Sequence, residues 1–505
     1  MTVGITISLS AFFALLLCSK CSFLYPFNDW YDANVIFTVG KGLMNGIVPY
    51  VDLPDHKGPY CFLLYGIAYL ISHKSFLGLF ILELFSFGSF LYIIHMIIKI
   101  YSEDDFLPVY PIIAFVIASS ATFVQGGSLE EFSLPLIAFA LYVSLKVIRN
   151  RELPLYIIFL SGIFSGILFW SKFTLCGAYL AFVIVYGIVC IREKKWKSLW
   201  KGAGIFLIGY IVAFIPWLLY FLMNHALDTF LDTYLFSNIF GYTNEAGMSI
   251  FARIWAIVSV AFRFYFRRGN IALTFFQILG LAGMLSLPKD TMTWKEKAAC
   301  MLIAVFTNVG IFFSGRAHGY YGLVTGVFLV FGAFSASFWI ARLYQKETYQ
   351  KSFYKVVPVF VSFVIGAILA FRISDNTYMI KYKKINLPQY QFLNTISKYE
   401  DQSILNYAFL DCGMYTVLGT IPDFKGYCVT NLYYDEGVML QKGYLSEEKT
   451  NFVITWTENP MKWEELPGKF PEVAEKYRLI DMSDYFCEGG YRTFGLWIRK
   501  STELK

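Results

Sequence analysis

A series of long apolar runs dominates this sequence and limits what the chain can fold into. The first run extends from about Val3 to Leu24 and has no early positive cluster or small-residue cleavage site, which indicates a retained membrane helix. Ten further runs are long enough to cross the roughly 30 Å apolar core of a bilayer. They lie at 75–98, 106–124, 132–147, 153–171, 173–191, 201–222, 271–288, 297–314, 320–341 and 356–373. The sequence therefore predicts an α-helical polytopic membrane protein with about eleven spans.

The amino-acid composition agrees with a lipid environment. Hydrophobic residues make up 57% of the chain and charged residues only 15%, whereas about 25% of the residues in a soluble protein are charged. The excess of Lys and Arg (42) over Asp and Glu (36) is small. Positively charged loops on one side of the membrane account for that excess better than a basic groove does, so we do not expect nucleic-acid binding.

The acidic residues divide the chain into two parts. Eighteen lie within positions 1–374 and the other eighteen in the last 131 residues. We therefore predict a transmembrane domain at 1–374 and a water-soluble domain at 375–505. In the second domain the pattern is mixed α/β, with strands expected at Ser403–Ala408, Gly426–Asn431 and Asn451–Thr457 and helices at Pro388–Lys398 and Asp435–Tyr444.

The positions of Lys and Arg predict how the chain crosses the membrane. With the N-terminus inside, five short loops that carry these residues are cytoplasmic: Lys99–Asp105, Lys146–Arg151, Arg192–Lys201, Lys289–Lys297 and Arg342–Lys355. This orientation requires the apolar stretches 59–72 and 250–266 to lie on the outer membrane surface as interfacial helices. It places two large loops, roughly 25–74 and 223–270, and the C-terminal domain outside the cytoplasm.

The first outer loop concentrates ionisable side chains. Asp32 precedes an amphipathic stretch from Ala33 to Met44 and is either a helix N-cap or an acid/base carboxylate at the membrane face. Asp29 is either a solvated loop residue or a second carboxylate for the same chemistry. Asp55 and His56 follow in the same loop, and we expect them to be the ligands if a metal ion binds here.

A lysine at the end of this loop predicts an anion site. Lys57 lies in the segment DHKGP, two residues before Pro59, and proline favours the first position of a helix. A lysine beside free backbone N–H groups at a helix start can bind a phosphate. The alternative is a lysine that extends to the lipid headgroups.

Two other outer turns carry candidate residues. Glu130 and Glu131 are adjacent in GGSLEEFSLP, at a depth where ionisable groups are costly and frequently functional; the alternative is one exposed turn residue and one helix N-terminal charge. Arg316 and His318 lie in SGRAHGYYG, where an arginine can hold a phosphate. Glu83, inside the apolar run ILELF, is expected to pair with a polar neighbour.

Several of these motifs resemble those of a known family. The first helix, the loop pattern DWYDAN…GKGLMNG…PYVDL…DHKGP, the EEFSLP turn and the GRAHGYY turn resemble the GT-C superfamily of integral membrane glycosyltransferases. The likeness is closest to bacterial members related to the dolichyl-phosphate-mannose–protein mannosyltransferases. It covers about 370 residues of layout and some 50 residues of motif. Relatives commonly have Asp-Glu where this chain has Asp32-Ala33, and Glu-Lys-Pro-Pro where it has His56-Lys57-Gly58-Pro59.

The resemblance implies a function for the chain. It implies a polyprenyl-phosphate-sugar-dependent hexosyltransferase of a bacterial plasma membrane, which acts outside the cytoplasm, with inversion, on a glycan, lipid or protein acceptor. Residues 1–374 would be the GT-C catalytic domain, with Asp32 as the base and Lys57 as the phosphate ligand. We expect Arg316 and His318 on the phosphate side, and Glu130 or Glu131 to orient the acceptor or a divalent cation. The alternatives are a transporter or flippase of lipid-linked sugars, or a polymerase that uses them.

Overall fold

The computed structural model describes residues 2–103, 105–150, 152–241, 250–267, 270–313, 318–343, 352–430, 434–487 and 490–502. The chain forms two compact units, each built from separate stretches of sequence. The first, here called the helical unit, comprises Met1–Ser22, Phe80–Tyr220 and Glu245–Tyr378. The second, the mixed unit, comprises Phe23–Leu79, Phe221–Asn244 and Met379–Lys505, and therefore combines the first outer loop with most of the C-terminal tail.

The predicted apolar runs form helices throughout the helical unit. The helices are Val3–Cys18, Leu77–Tyr101, Val109–Ala118, Leu129–Asn150, Leu155–Lys172, Gly177–Arg192, Trp196–Met223, Ile250–Tyr265, Ile271–Ser286, Trp294–Ile311, Leu329–Leu343 and Ser352–Ile373. Turns of 3₁₀-helix at Phe173–Cys176 and Gly319–Phe328 each lead into the helix that follows. The helix in run 106–124 is shorter than predicted. It spans Val109–Ala118 and ends before the turn that contains Gly126 and Gly127.

Six helical segments in the described residues are long and apolar enough to cross a membrane. They are Leu77–Tyr101, Leu129–Arg149, Leu155–Arg192, Trp196–Met223, Gly319–Ala336 and Val356–Ile373. The chain is thus an α-helical multi-pass membrane protein, as the sequence predicted. The number of eleven spans, the interfacial position of 59–72 and 250–266 and the orientation in the membrane stay predictions.

Close helix contacts in this unit depend on small residues. Helices Leu155–Lys172 and Trp196–Met223 meet where a side chain on Gly162 would collide with the carbonyl oxygen of Phe206, and one on Gly209 with that of Phe159. Lipid-exposed helices gain little from the hydrophobic effect when they associate, so close backbone packing supplies much of the attraction. A larger residue at either glycine would force this pair apart.

The mixed unit contains a four-stranded sheet. Its strands are β1 (Ile404–Asn406), β2 (Phe452–Thr457), β3 (Tyr477–Cys487) and β4 (Gly490–Arg499), in the order β1-β2-β4-β3. The pair β1–β2 is parallel, and the other two pairs are antiparallel. The helices of this unit are Tyr31–Met44, Pro59–Ile71, Leu227–Leu231, Pro388–Ile396, Met414–Leu418, Tyr434–Ser446, Leu466–Lys469 and Pro471–Lys476, with a π-helix at Asp232–Gly241 and short 3₁₀ turns at Thr377–Lys381 and Lys384–Asn386.

The mixed α/β prediction for the tail is confirmed, with one wrong strand. Strands β1 and β2 and the helices Pro388–Ile396 and Tyr434–Ser446 lie where the sequence placed them. The predicted strand Gly426–Asn431 is irregular over its described part, 426–430. Its backbone makes only isolated bonds, such as Val429 N–H to the Phe409 carbonyl at 3.0 Å. The hairpin β3–β4 was not predicted.

The first-loop helix Tyr31–Met44 is held against the tail by buried polar contacts. The hydroxyl of Thr38 donates to Asp411 Oδ2 at 2.7 Å. The side chain of Lys41 is fully buried and donates to the carbonyl oxygens of Tyr415, at 2.8 Å, and Thr420. Since buried polar groups are costly unless paired, these contacts fix the helix that carries Asp32 on the C-terminal part of the unit.

Candidate functional site

Lys57 is the centre of a charged cluster in the mixed unit. Its Nζ lies 3.2 Å from Asp32 Oδ1 and 3.7 Å from Asp55 Oδ2. The Asp55 carboxylate also accepts a hydrogen bond of 2.8 Å from the Lys57 backbone N–H, which bends the chain just before helix Pro59–Ile71. The sequence predicted each of these residues as part of a site, and the fold brings the three together.

The two carboxylates determine the charge state of this lysine. Burial by itself would lower the pKa of Lys57, but the negative charges of Asp32 and Asp55 outweigh burial and hold that pKa well above its ordinary value. Lys57 is therefore a fixed positive charge at neutral pH. It is 16% exposed and Asp32 is 24% exposed, so both remain accessible, whereas Asp55 is buried.

Asp29 and Asp32 have different surroundings. Asp32 lies in the first turn of helix Tyr31–Met44, and the N-cap position belongs to Trp30, so the alternative in which Asp32 is the N-cap is wrong. Asp29 is buried and accepts a hydrogen bond of 3.0 Å from the Tyr485 hydroxyl. Of the two carboxylates, Asp32 is the one with an exposed face, and Asp29 holds the loop to strand β3.

The neighbours of His56 link the cluster to the second large loop. The His56 carbonyl accepts a 2.8 Å hydrogen bond from the Asn238 side chain, and its Nδ1 lies 3.8 Å from Asp55 Oδ1. Within the described ranges, no group of three His, Cys, Asp or Glu side chains is arranged to hold a metal ion. His56 and Asp55 together provide two such groups.

A second charged cluster lies in the helical unit and includes a residue that the sequence analysis missed. Lys172 Nζ lies 2.6 Å from Glu130 Oε1 and 3.6 Å from the centre of the Tyr321 ring. The ring of His318 contacts the same Tyr321 ring edge to face, with centroids 5.2 Å apart. Glu130 and His318, two of the candidates, thus belong to one cluster. The signal for Lys172 was a single lysine inside the apolar stretch FWSKF.

Glu131 lies beside Glu83 in the helical unit. Both are fully buried. Glu83 accepts from the Ser19 hydroxyl at 2.8 Å, so the expected polar partner of Glu83 is confirmed, and Glu131 Oε2 accepts the Gly127 N–H at 3.0 Å. Glu131 is therefore bonded through one oxygen to the turn before its helix, and its other oxygen, Oε1, is buried with no hydrogen-bond partner in the described part of the chain.

One predicted residue lies outside the described part of the chain. Arg316, the candidate phosphate ligand in SGRAHGYYG, falls between the described ranges 270–313 and 318–343. Its role stays a prediction.

Comparison with known proteins supports the architecture. No family model and no curated protein matches the sequence. Two solved structures of ArnT from Cupriavidus metallidurans do match, each over 97% of both chains at 10% identity. One is bound to undecaprenyl phosphate and has a TM-score of 0.57, and the other is in the apo state with a TM-score of 0.55. The chain has the GT-C fold.

This result confirms the fold that the motifs predicted. The likeness extends over 97% of the chain and therefore includes the helical unit and the mixed unit. At 10% identity the match establishes the fold, and the roles of individual residues must be argued from their own geometry.

Proposed function

We propose that this protein is a glycosyltransferase that moves a sugar from a polyprenyl-phosphate donor to an acceptor hydroxyl outside the cytoplasm. The observation that carries the proposal is the Lys57–Asp32 pair, in which a permanently charged lysine and an accessible carboxylate lie 3.2 Å apart at a helix start. The GT-C fold, shared with a structure that contains undecaprenyl phosphate, supports a lipid-phosphate donor.

Lys57 would bind the donor phosphate. Its ammonium group is largely buried, and a charge acts more strongly there than in bulk water. Gly58 is the N-cap of the following helix, so the chain beside the lysine has no side chain that would block a phosphate group. The roles that the sequence analysis gave to Arg316 and His318 stay predictions.

Asp32 would act as the general base. It takes the proton from the acceptor hydroxyl, and the acceptor oxygen attacks the anomeric carbon. The bond from that carbon to the phosphate oxygen breaks with inversion, and the electron pair leaves with the polyprenyl phosphate. The leaving group gains one negative charge, which Lys57 stabilises, and the proton remains on Asp32.

The ion pair provides an order of events. While Lys57 contacts Asp32, the lysine charge and the carboxylate partly neutralise one another. A donor phosphate competes for Lys57 and releases Asp32 to accept a proton. We therefore expect the donor to bind before the base becomes active. The roles that the sequence analysis gave to Glu130 and Glu131 stay predictions.

The experiment is transfer of radiolabelled sugar by the purified full chain in nanodiscs. Undecaprenyl-phosphate sugars are offered with a mixture of glycan, lipid and peptide acceptors, and labelled undecaprenyl phosphate is used separately to measure donor-side binding. Saturable lipid-phosphate binding that requires Lys57 supports the proposal. If Lys57→Ala binds undecaprenyl phosphate as tightly as the unmodified chain, the proposal is wrong.

A further inference from the structure

One end of the helical unit carries a charged surface to which the proposed reaction gives no role. Helix Trp196–Met223 begins inside the segment REKKWKSLWK, 192–201, which has five basic residues in ten positions. Lys195 forms ion pairs with Glu152, at 3.0 Å, and with Glu193, at 3.2 Å. The other four are exposed and form no ion pair within the described part of the chain. These four, here called the basic patch, are Arg192, Lys194, Lys197 and Lys201.

The turn that carries the basic patch is fixed by contacts of its own. Lys195 joins it to Glu152, in the loop after helix Leu129–Asn150. The Tyr186 hydroxyl donates to the Ser198 carbonyl at 2.9 Å, which holds the start of the next helix. Since the two glutamates beside the turn contact Lys195, the charges of the basic patch remain available to a ligand from outside the chain.

Two exposed tryptophans lie beside the basic patch. Trp196 is 52% exposed and Trp200 is 73% exposed. Residues four positions apart share a face of a helix, so the two rings form one stripe and Lys197 and Lys201 form the stripe next to it. Tryptophan is enriched where the apolar core of a bilayer meets the headgroups, because its ring is apolar and its N–H is polar.

The surface of this helix changes from charged to apolar directly after the basic patch. Positions 203–222 contain no charged residue, and the helix is long and apolar enough to cross a membrane. Its exposed side chains in this part are aliphatic, among them Leu207, Ile208, Ile211, Val212, Ile215 and Leu219. The basic patch and the two tryptophans therefore lie at the level where lipid phosphates meet the apolar core.

Two more exposed tryptophans belong to the same end of the helical unit. Trp294 begins one helix, and Trp339 lies near the end of another. Trp339 Nε1 donates to Ser286 Oγ at 3.1 Å, and the turn after Ser286 contains Thr291, whose carbonyl accepts from Arg149 Nη1 at 3.2 Å. Arg149 lies three positions before the glutamate that joins the turn of the basic patch. These contacts place four tryptophans at one end, as in the aromatic belt of a membrane interface.

We propose that the basic patch, with Trp196 and Trp200, binds the headgroups of anionic phospholipids. A phosphatidylglycerol headgroup carries one negative charge, whereas the choline of phosphatidylcholine balances its phosphate. Basic residues next to a membrane-spanning helix attract anionic lipids. The position at the edge of an apolar surface favours a lipid over a water-soluble acidic partner. The surface takes no part in sugar transfer, and in the predicted orientation it contacts the cytoplasmic leaflet.

The test compares two lipids that have the same acyl chains and different headgroups. The purified full chain in detergent is titrated with palmitoyl-oleoyl-phosphatidylglycerol or with the matching phosphatidylcholine. Native mass spectrometry gives the dissociation constant of the first bound lipid. We expect the unmodified chain to bind phosphatidylglycerol at least about 10-fold more tightly, as for a charge-assisted contact. This preference should shrink as the salt concentration rises, because exposed charges are screened.

Substitutions assign the preference to the basic patch. Removing its four charges should lower the preference at least about 5-fold, and removing either half of them should lower it in part. The variants are Arg192→Gln/Lys194→Gln, Lys197→Gln/Lys201→Gln and the combination of both pairs. The matched control removes four exposed lysines of the mixed unit and should keep the preference. It is Lys398→Gln/Lys425→Gln/Lys462→Gln/Lys469→Gln.

Three outcomes would overturn this proposal. One is equal binding of the two lipids by the unmodified chain. Another is an equal loss of preference in the basic-patch variants and in the control, because net charge alone would then explain it. The third is loss of the preference in Lys57→Ala, which would place the anionic lipid at the proposed donor site. Retention of the preference in Lys57→Ala separates this surface from the binding of undecaprenyl phosphate.

Discussion

Lys57 and Asp32 form an ion pair of 3.2 Å between a loop and the first turn of a helix. Asp55 contributes a second carboxylate, 3.7 Å from the same ammonium group. One lysine thus lies against two aspartates, of which only Asp32 is accessible. A donor phosphate and the Asp32 carboxylate therefore compete for the ammonium group of Lys57, and this competition has measurable consequences.

Lys57→Ala should weaken the donor side of the reaction. Charge-assisted hydrogen bonds contribute about 1.5–3 kcal/mol each, so we expect the donor KM to rise about 10- to 100-fold. The acceptor KM should change little, and Lys57→Arg should recover part of the loss. Initial rates at varied donor and acceptor concentrations provide the measurement. Lys425→Ala, which removes an exposed lysine of the same unit, is the control. If the donor KM of Lys57→Ala is unchanged, Lys57 contacts only lipid headgroups and does not bind the donor phosphate.

Asp32→Asn should abolish most turnover without unfolding the protein. Loss of a general base lowers kcat by about 10²–10⁴-fold. Asp29→Asn is a close chemical match, but its side chain is buried against Tyr485, so its effect should fall on stability more than on kcat. Single-turnover rates and thermal unfolding are measured for both variants. An inactive Asp29→Asn beside an active Asp32→Asn would reverse the assignment.

The pH dependence of donor binding should reveal the electrostatics of Lys57. Burial lowers the pKa of Lys57, and Asp32 and Asp55 together raise it well above its ordinary value. Only the protonated lysine binds phosphate, so binding weakens as pH rises through this pKa. In the unmodified chain we expect constant lipid-phosphate affinity from pH 7 to about pH 10.

Asp55→Asn removes one of the two charges that hold the proton on Lys57. As pH rises, we expect the lipid-phosphate affinity of this variant to begin to weaken at a lower pH than that of the unmodified chain. Adding Lys57→Arg should make the affinity constant again, because arginine does not titrate in this range. A decline at the same pH with and without Asp55 would contradict this account.

The fold was largely predictable from the sequence, and the site only in part. Apolar runs fixed the helices because membrane depth requires an uninterrupted apolar surface. Lys57 and Asp32 were found because a loop with paired carboxylates and a lysine before a helix start is a recognisable pattern. Lys172 and Tyr485 were missed, since each contributes through a partner more than 40 positions away in sequence, Glu130 and Asp29 respectively.

Lys41 should make the stability of the mixed unit increase with pH. Burial lowers the pKa of Lys41 to about 8. The negative charge of Asp411 raises this pKa in part, and the positive charge of Lys74 lowers it further. The unfolded chain then binds more protons than the folded chain between about pH 8 and about pH 10.5, so this residue adds stability as pH rises through that window.

Lys41→Met provides the comparison for this effect. The free energy of unfolding of the unmodified chain, relative to Lys41→Met, should increase by at most about 1.4 kcal/mol per pH unit in the window. Denaturant titrations in detergent at pH 7, 8, 9 and 10 provide the measurement, and Lys425→Met should show no such trend. A difference that stays constant or falls with pH would refute the burial of a titrating amine at this position.

The Lys172–Glu130 contact should behave as a buried ion pair. Lys172 Nζ and Glu130 Oε1 are 2.6 Å apart, and the Glu130 side chain is only 2% exposed. Lys172→Met leaves that carboxylate buried without its cation, which costs about 3–5 kcal/mol of stability. Removing both charges in Lys172→Met/Glu130→Gln should restore most of this loss, because no uncompensated charge remains. The measurement is a double-mutant cycle on the free energy of unfolding. Lys195→Met is the matched control, because Lys195 forms an exposed ion pair with Glu152. This control should change the free energy of unfolding by less than about 1 kcal/mol. If the double variant is as unstable as the sum of the two single variants, the two side chains contribute independently and the pair is not coupled in the folded protein.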